Sequence, residues 1–109
     1  MDELEASETH LVIDVSSDPS PDQTIKLSGE LDISNADAFR SKVEEVVAAN
    51  PQRLIFDLSE LTFMDSSGIA VMVYAANNID SIALHHPSDI IRRVVEATGL
   101  SEILQIDPT

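Results

Sequence analysis

Residues 61–73, LTFMDSSGIAVMV, place a polar knot, Asp65-Ser66-Ser67-Gly68, between two apolar stretches, and no further charge follows until Asp80. A carboxylate or hydroxyl at such a knot can cap a buried helix. It also lies beside unpaired backbone N–H groups, which favour negative charge. The knot therefore reads either as a structural helix start or as a site, at Ser66, where a phosphate is added or removed. By period alone, Ile69 to Ala76 fits a strand or a buried helix. The preceding cap and Ala70, Met72, Ala75 and Ala76 favour a helix, against the β-branched Ile69, Val71 and Val73.

The rest of the chain alternates between the two periods. Residues 1–9, MDELEASET, are acidic and aperiodic, as in a flexible tail. Leu11, Ile13 and Val15 alternate with Val12 and Asp14, a strand pattern. Turn formers from Ser16 to Asp22 then separate it from a second strand, Thr24 to Ser28. These two strands predict an antiparallel hairpin. Gly29-Glu30-Leu31-Asp32 ends the second strand and leads to Ser34, an N-cap candidate with Asp37 three residues on. Ala36, Phe39, Val43, Val46 and Val47 then recur at helical spacing until Asn50-Pro51.

Arg53 to Ser59 reads as a short central strand covered on both faces. After the second helix, stopped by Asn77-Asn78, Ser81 to His85 forms another strand. Pro87-Ser88 starts a third helix with Ile90, Ile91, Val94 and Val95 as its stripe. Gly99 stands where a left-handed C-cap would, with Leu100 packing back. Glu102 to Ile106 is a last short strand or helical turn. The order β-β-α-β-α-β-α-β predicts an α/β fold with a mixed four- to five-stranded sheet and helices packed on it.

At 109 residues the chain suits one domain. It has no apolar run long enough to span a bilayer and no basic signal-peptide start, so a cytoplasmic location is expected. Six basic and 20 acidic residues give a net charge of −14. Such a chain does not bind nucleic acid or an anionic membrane unaided. It suits a basic protein partner, or serves only to keep the protein soluble. The absence of cysteine excludes disulfides, thiol nucleophiles and thiolate zinc sites.

Asp32, Asp57 and Asp65 fall at or near expected strand ends, where ligands of open α/β sheets gather. Three carboxylates could serve magnesium or phosphoryl transfer. A phosphoaspartate receiver, however, needs an acidic pair after its first strand, and Val12-Ile13-Asp14-Val15 lacks one. His85 and His86, adjacent on a strand, point to opposite faces and do not share a metal. Met64-Asp65-Ser66-Ser67-Gly68 is not a G-x-S-x-G hydrolase elbow. Three glycines also leave no room for a phosphate-binding loop motif. No metal, no cofactor and no enzyme activity are expected, with a serine hydrolase as the remote alternative.

Gly29-Glu30-Leu31-Asp32, followed at a distance by Leu61-Thr62-Phe63-Met64-Asp65-Ser66-Ser67-Gly68-Ile69, resembles the anti-sigma factor antagonist family, the STAS domain. The resemblance covers residues 10–106 as a single domain, leaving 107–109 as a C-terminal end. It implies a bacterial transcription regulator that binds an anti-sigma factor with serine kinase activity, releasing a sigma factor. It also implies phosphorylation at Ser66 that ends binding, and a serine phosphatase that resets the protein. Asp32, Asp65, Ser66, Ser67, Gly68 and Ile69 would form the partner-binding surface, with Gly68 letting the partner approach the backbone. The short stretch between Gly68 and Ser81 implies a truncated second helix or a tight turn after it. The alternative within the family is a non-switching subunit of a transport or signalling complex.

Overall fold

A computed structural model describes residues 11–16, 22–100 and 102–106. The expected tail (1–9), most of the hairpin connection (17–21) and the C-terminal end (107–109) lie outside them. The elements are β1 (Leu11–Val15), β2 (Asp22–Leu31), α1 (Ala36–Ala48), β3 (Arg53–Met64), α2 (Ser66–Asn78), β4 (Ser81–His85), α3 (Asp89–Ala97) and β5 (Gln105–Ile106). They form one five-stranded mixed sheet in the order β1-β2-β3-β4-β5. The β1/β2 pair is antiparallel, and the remaining pairs are parallel.

Each parallel step goes to the next strand in the same direction, so right-handed crossovers place every helix on one face. The buried residues agree. Phe39, Val43 and Val46 of α1, Met72 and Ala75 of α2, and Ile91 and Val95 of α3 share one apolar cluster with Ile25, Leu27, Leu54, Phe56 and Leu84 of the sheet. The Phe39 and Phe56 rings meet edge to face at 5.7 Å, joining α1 to the central strand.

The longest departure from the sequence reading is β3, which continues to Met64 instead of stopping at Ser59. Two register shifts against β2, between Lys26 and Ser28 and between Gly29 and Glu30, each insert one extra residue of β3. The buried positions 54, 56 and 58 are therefore followed by 61 and 64. A bulge breaks the two-residue period while keeping the strand paired. Gly29 adopts φ 101° at this irregularity, and the Thr62 hydroxyl donates to its carbonyl at 2.9 Å. β2 likewise runs past Ser28 and ends at Leu31, within the Gly29-Glu30-Leu31-Asp32 segment.

Smaller differences concern helix ends. α1 is preceded by Asn35 and not capped by Ser34. α2 keeps Asn77 and Asn78 within its last turn and is thirteen residues long. Only Ile79 and Asp80 separate it from β4, so the short connection is a tight turn after a full helix. Ser88 caps α3 by accepting from the Ile91 N–H at 3.2 Å. Gly99 takes φ 76° beyond its C-terminus, and Leu100 packs on the core. The final segment is a turn leading into the two-residue β5.

Asp57 is not at a strand end. It lies mid-strand, paired with Lys26 on β2 and His85 on β4. Burial opposes its charge, but the Ser59 N–H and hydroxyl outweigh that with help from Lys26 and His86, so its carboxyl titrates below the usual carboxylate range. The charge then stabilises the fold at every pH above the unfolded value of about 3.9. That contribution is lost as pH falls through the lower folded value. Asp57→Asn should melt below the parent at pH 7, and the gap should close on acidification below about pH 4. Thermal melts across pH 2.5 to 7 check it; a gap that widens in acid would contradict the assignment.

Candidate functional site

The carboxyl ends of β2 and β3 finish side by side. Leu31 pairs with Met64, and the Asp65 N–H donates to the Leu31 carbonyl at 3.2 Å. The chain then leaves both strands through the same small turn. On β3, one carboxylate oxygen of Asp65 accepts from the Ser67 N–H at 2.9 Å and from the Ser67 hydroxyl. On β2, one carboxylate oxygen of Asp32 accepts from the Ser34 N–H at 2.9 Å and the Ser34 hydroxyl at 2.6 Å. Both are Asp-x-Ser turns closed by a side chain in place of a backbone carbonyl. The middle residue of each, Ser66 and Ile33, is exposed.

The second turn was missed in the sequence, where Ser34 reads as a helix cap. Asn35 holds it instead. This residue is only 4% exposed. Its amide accepts from the Asp32 N–H at 3.0 Å and donates to the Glu30 carbonyl at 2.9 Å. The repeated spacing Asp32-Ile33-Ser34 and Asp65-Ser66-Ser67 was the available signal.

Asp65 is the N-cap of α2, as expected of the knot. Its carbonyl takes the Gly68 and Ile69 N–H groups at 3.1 and 3.4 Å. α2 contains no charged residue, so Asp65 and whatever occupies Ser66 meet the positive end of its dipole. The two serines differ. The Ser67 hydroxyl is committed to Asp65 in a half-buried position, whereas Ser66 faces outward.

Gly68 and Ile69 occupy the opposite side of the first turn. Ile69 is 4% exposed, inside the core. A Cβ on Gly68 would lie 2.5 Å from Leu31 Cδ2 and 2.8 Å from Met64 Cγ. The reading that Gly68 admits a partner to the backbone is therefore corrected. What approaches closely is the protein's own sheet. Asp32, Asp65, Ser66 and Ser67 are brought together at one edge, with Gly68 and Ile69 beneath them.

Of the three aspartates first grouped as a possible ligand set, Asp57 is separated from the other two by the length of the β3 extension. Among the described residues, no three histidine, aspartate or glutamate side chains stand together as a metal site. His86 lies just past β4 with φ 57°, and its ring meets that of His85 at 5.9 Å. The two were expected on opposite faces of one strand. No described helix is long and apolar enough to cross a membrane.

The cap and the close packing are separable by stability. Asp65→Ala removes both bonds to Ser67 and should cost about 0.5–2 kcal/mol. Gly68→Ala gains helix propensity of up to about 1 kcal/mol, yet overpacks Leu31 and Met64 by about 1–3 kcal/mol. A net loss is expected in urea titrations. A Gly68→Ala protein more stable than the parent would refute the packing role.

The sequence matches the STAS domain over residues 5–109. The anti-sigma-B factor antagonist of Listeria monocytogenes is 33% identical over 86 residues, covering 75% of this chain and 75% of the relative. In structure, an anti-sigma factor antagonist from Mycobacterium paratuberculosis superposes with a TM-score of 0.82 at 24% identity, over 91% of this chain and 86% of the other. The phosphorylated form of the Bacillus cell fate determinant SpoIIAA gives 0.69 at 23% identity, over 88% of this chain and 91% of the other. The match over residues 5–109 and the Listeria relative show that the chain belongs to the STAS domain family, and the structural neighbours share its fold.

Proposed function

We propose that this protein is an anti-sigma factor antagonist controlled by phosphorylation at Ser66. The observation that carries the reading is the exposed Ser66 hydroxyl, the first residue of an uncharged helix, beside an Asp65 already engaged as cap. The Listeria relative, named an anti-sigma-B factor antagonist, supports the partner class. SpoIIAA, known in a phosphorylated form, supports the modification. The protein acts by binding and not by catalysis, in the cytoplasm and without direct contact to DNA. Unphosphorylated, it engages an anti-sigma factor that is also a serine kinase, and a sigma factor is set free. A serine phosphatase restores that state.

Charge explains how one phosphate could end binding without unfolding the domain. Phosphorylation adds about −1.5 to −2 charges at neutral pH. At the start of α2 the helix dipole favours that charge by roughly 0.3–1 kcal/mol. The local fold therefore tolerates the modification. Repulsion acts outward, because Asp65 and Asp32 border the same edge and the phosphate adds bulk where a partner must seat.

Incubation with ATP and each anti-sigma kinase of the source organism, followed by phosphopeptide mapping, tests the reading. Label is expected on Ser66 and absent from Ser66→Ala. Ser66→Asp should lose the kinase partner with an unchanged circular dichroism spectrum. Failure of every kinase to modify Ser66 would overturn the switch, as would helix loss in Ser66→Asp.

A further inference from the structure

Beside Ser66, α1 and α2 leave an open groove of about 400 Å³, lined by Ile33, Ala36, Asp37, Arg40, Ser67, Ala70 and Val71. Buried Ala36 and Val71 and exposed Ala70 give it an apolar lining, to which Asp37, Arg40 and Ser67 add polar groups. At one end stands Ile33, which at 82% is the most exposed large apolar side chain among the described residues. Isolated surface isoleucines are ordinary. This one is held outward by the Asp32–Ser34 turn, itself fastened by the buried Asn35 amide. It is an apolar side chain on a rigid mount, two positions beyond Leu31, as Ser66 is two positions beyond the paired Met64. The two middle residues thus project from neighbouring strand ends at one edge.

The charges of this edge narrow the occupant. Asp37 lines the groove, Asp32 adjoins Ile33, the Asp65 carboxylate holds Ser67 of the lining, and Glu30 precedes them in the exposed part of β2. The one basic residue on the groove, Arg40, lies 4.9 Å from the Tyr74 ring centroid on α2 and 4.0 Å from Glu44. Its charge is thereby answered within the domain. An apolar lining inside an acidic border complements a segment that carries an apolar side chain flanked by lysine or arginine.

We infer that the α1/α2 groove and Ile33 form the specificity-determining dock of the kinase partner, seating an apolar side chain of a basic segment while Ile33 enters an apolar pocket of that partner. This rests on the antagonist reading and deepens it. The turn at Asp65 offers the hydroxyl to be modified, and the turn at Asp32 offers the anchor that selects who modifies it. Such anchored apolar contacts at the centre of a polar rim carry a large share of interface energy. Ile33 is positioned to discriminate between partners without touching the phosphoryl group.

The test uses the purified anti-sigma kinase that modifies Ser66, titrated by calorimetry with the unphosphorylated full chain and three variants. Ile33→Ser removes the anchor. Ala70→Gln fills the groove from an exposed helix position. Ile103→Ser alters another exposed isoleucine, beside the start of β4 and away from this edge. Matching urea curves establish that all three fold. We expect Kd to rise about tenfold or more for Ile33→Ser and Ala70→Gln, equivalent to about 1.4 kcal/mol, and to stay within about twofold for Ile103→Ser. In phosphorylation assays KM should rise for the first two with kcat retained, and kon should fall steeply with added salt. Unchanged Kd for both site variants, with normal wild-type binding, overturns the dock and leaves the switch intact. Weakened Kd with salt-independent kon overturns the basic character of the partner segment. If the unmodified wild type binds no anti-sigma kinase at all, the antagonist reading itself falls and takes the dock with it.

Discussion

The contact on which the site depends is the packing of a bare helix backbone, at Gly68, against Leu31 and Met64. Those two residues end adjacent parallel strands and pair with each other. With no side chain at Gly68, the first turn of α2 lies directly on both strand ends. That seat sets where the Asp65 cap stands and therefore where Ser66 points. A bulkier residue would lift the helix start away from the Asp32 turn. The surface edge is thus a consequence of a core contact, which is why a buried glycine governs the site.

The bulges in β3 serve the same end. Without two extra residues, the two-residue period of β3 would put Leu61 on the open face of the sheet and leave the strand end out of step with β2. With them, Leu31 and Met64 come level, and the turns that follow emerge as a pair. β4 pairs only with residues 53–57 of β3. The second half of β3 is therefore held by β2 alone and reaches past the rest of the sheet. This overhang carries the site beyond the residues that pair with β4.

Electrostatics separates tolerance from function. The strongly acidic chain sets a border of carboxylates around an uncharged helix whose positive end faces the same edge. Added negative charge is accommodated by the helix and opposed by the border. Ser66 and Ser67 sit one residue apart in this field, yet Asp65 occupies the hydroxyl of Ser67 and leaves that of Ser66 facing outward.

Much of the fold was legible in the sequence because periodicity directly reports one-sided burial. The β1 alternation, the α1 stripe, the Ser88 cap and the Gly99 stop all appear where local pattern placed them. The order of elements, with right-handed crossovers, was enough to imply a mixed sheet. The sequence also marked Asp65 as a cap and Ser66 as its neighbour, since capping is a local interaction. Three features depended on residues distant in the chain. The continuation of β3 past Ser59 needed the partner strand to define its bulges. The burial of Gly68 needed Leu31, 37 positions earlier, to be in contact. The groove beside Ser66 needed α1 and α2 to be placed on one face, whereas the outward mount of Ile33 is a local turn. Capping and periodicity are set by neighbours along the chain, whereas register, close packing and grooves are set between elements, so only the tertiary structure decided them.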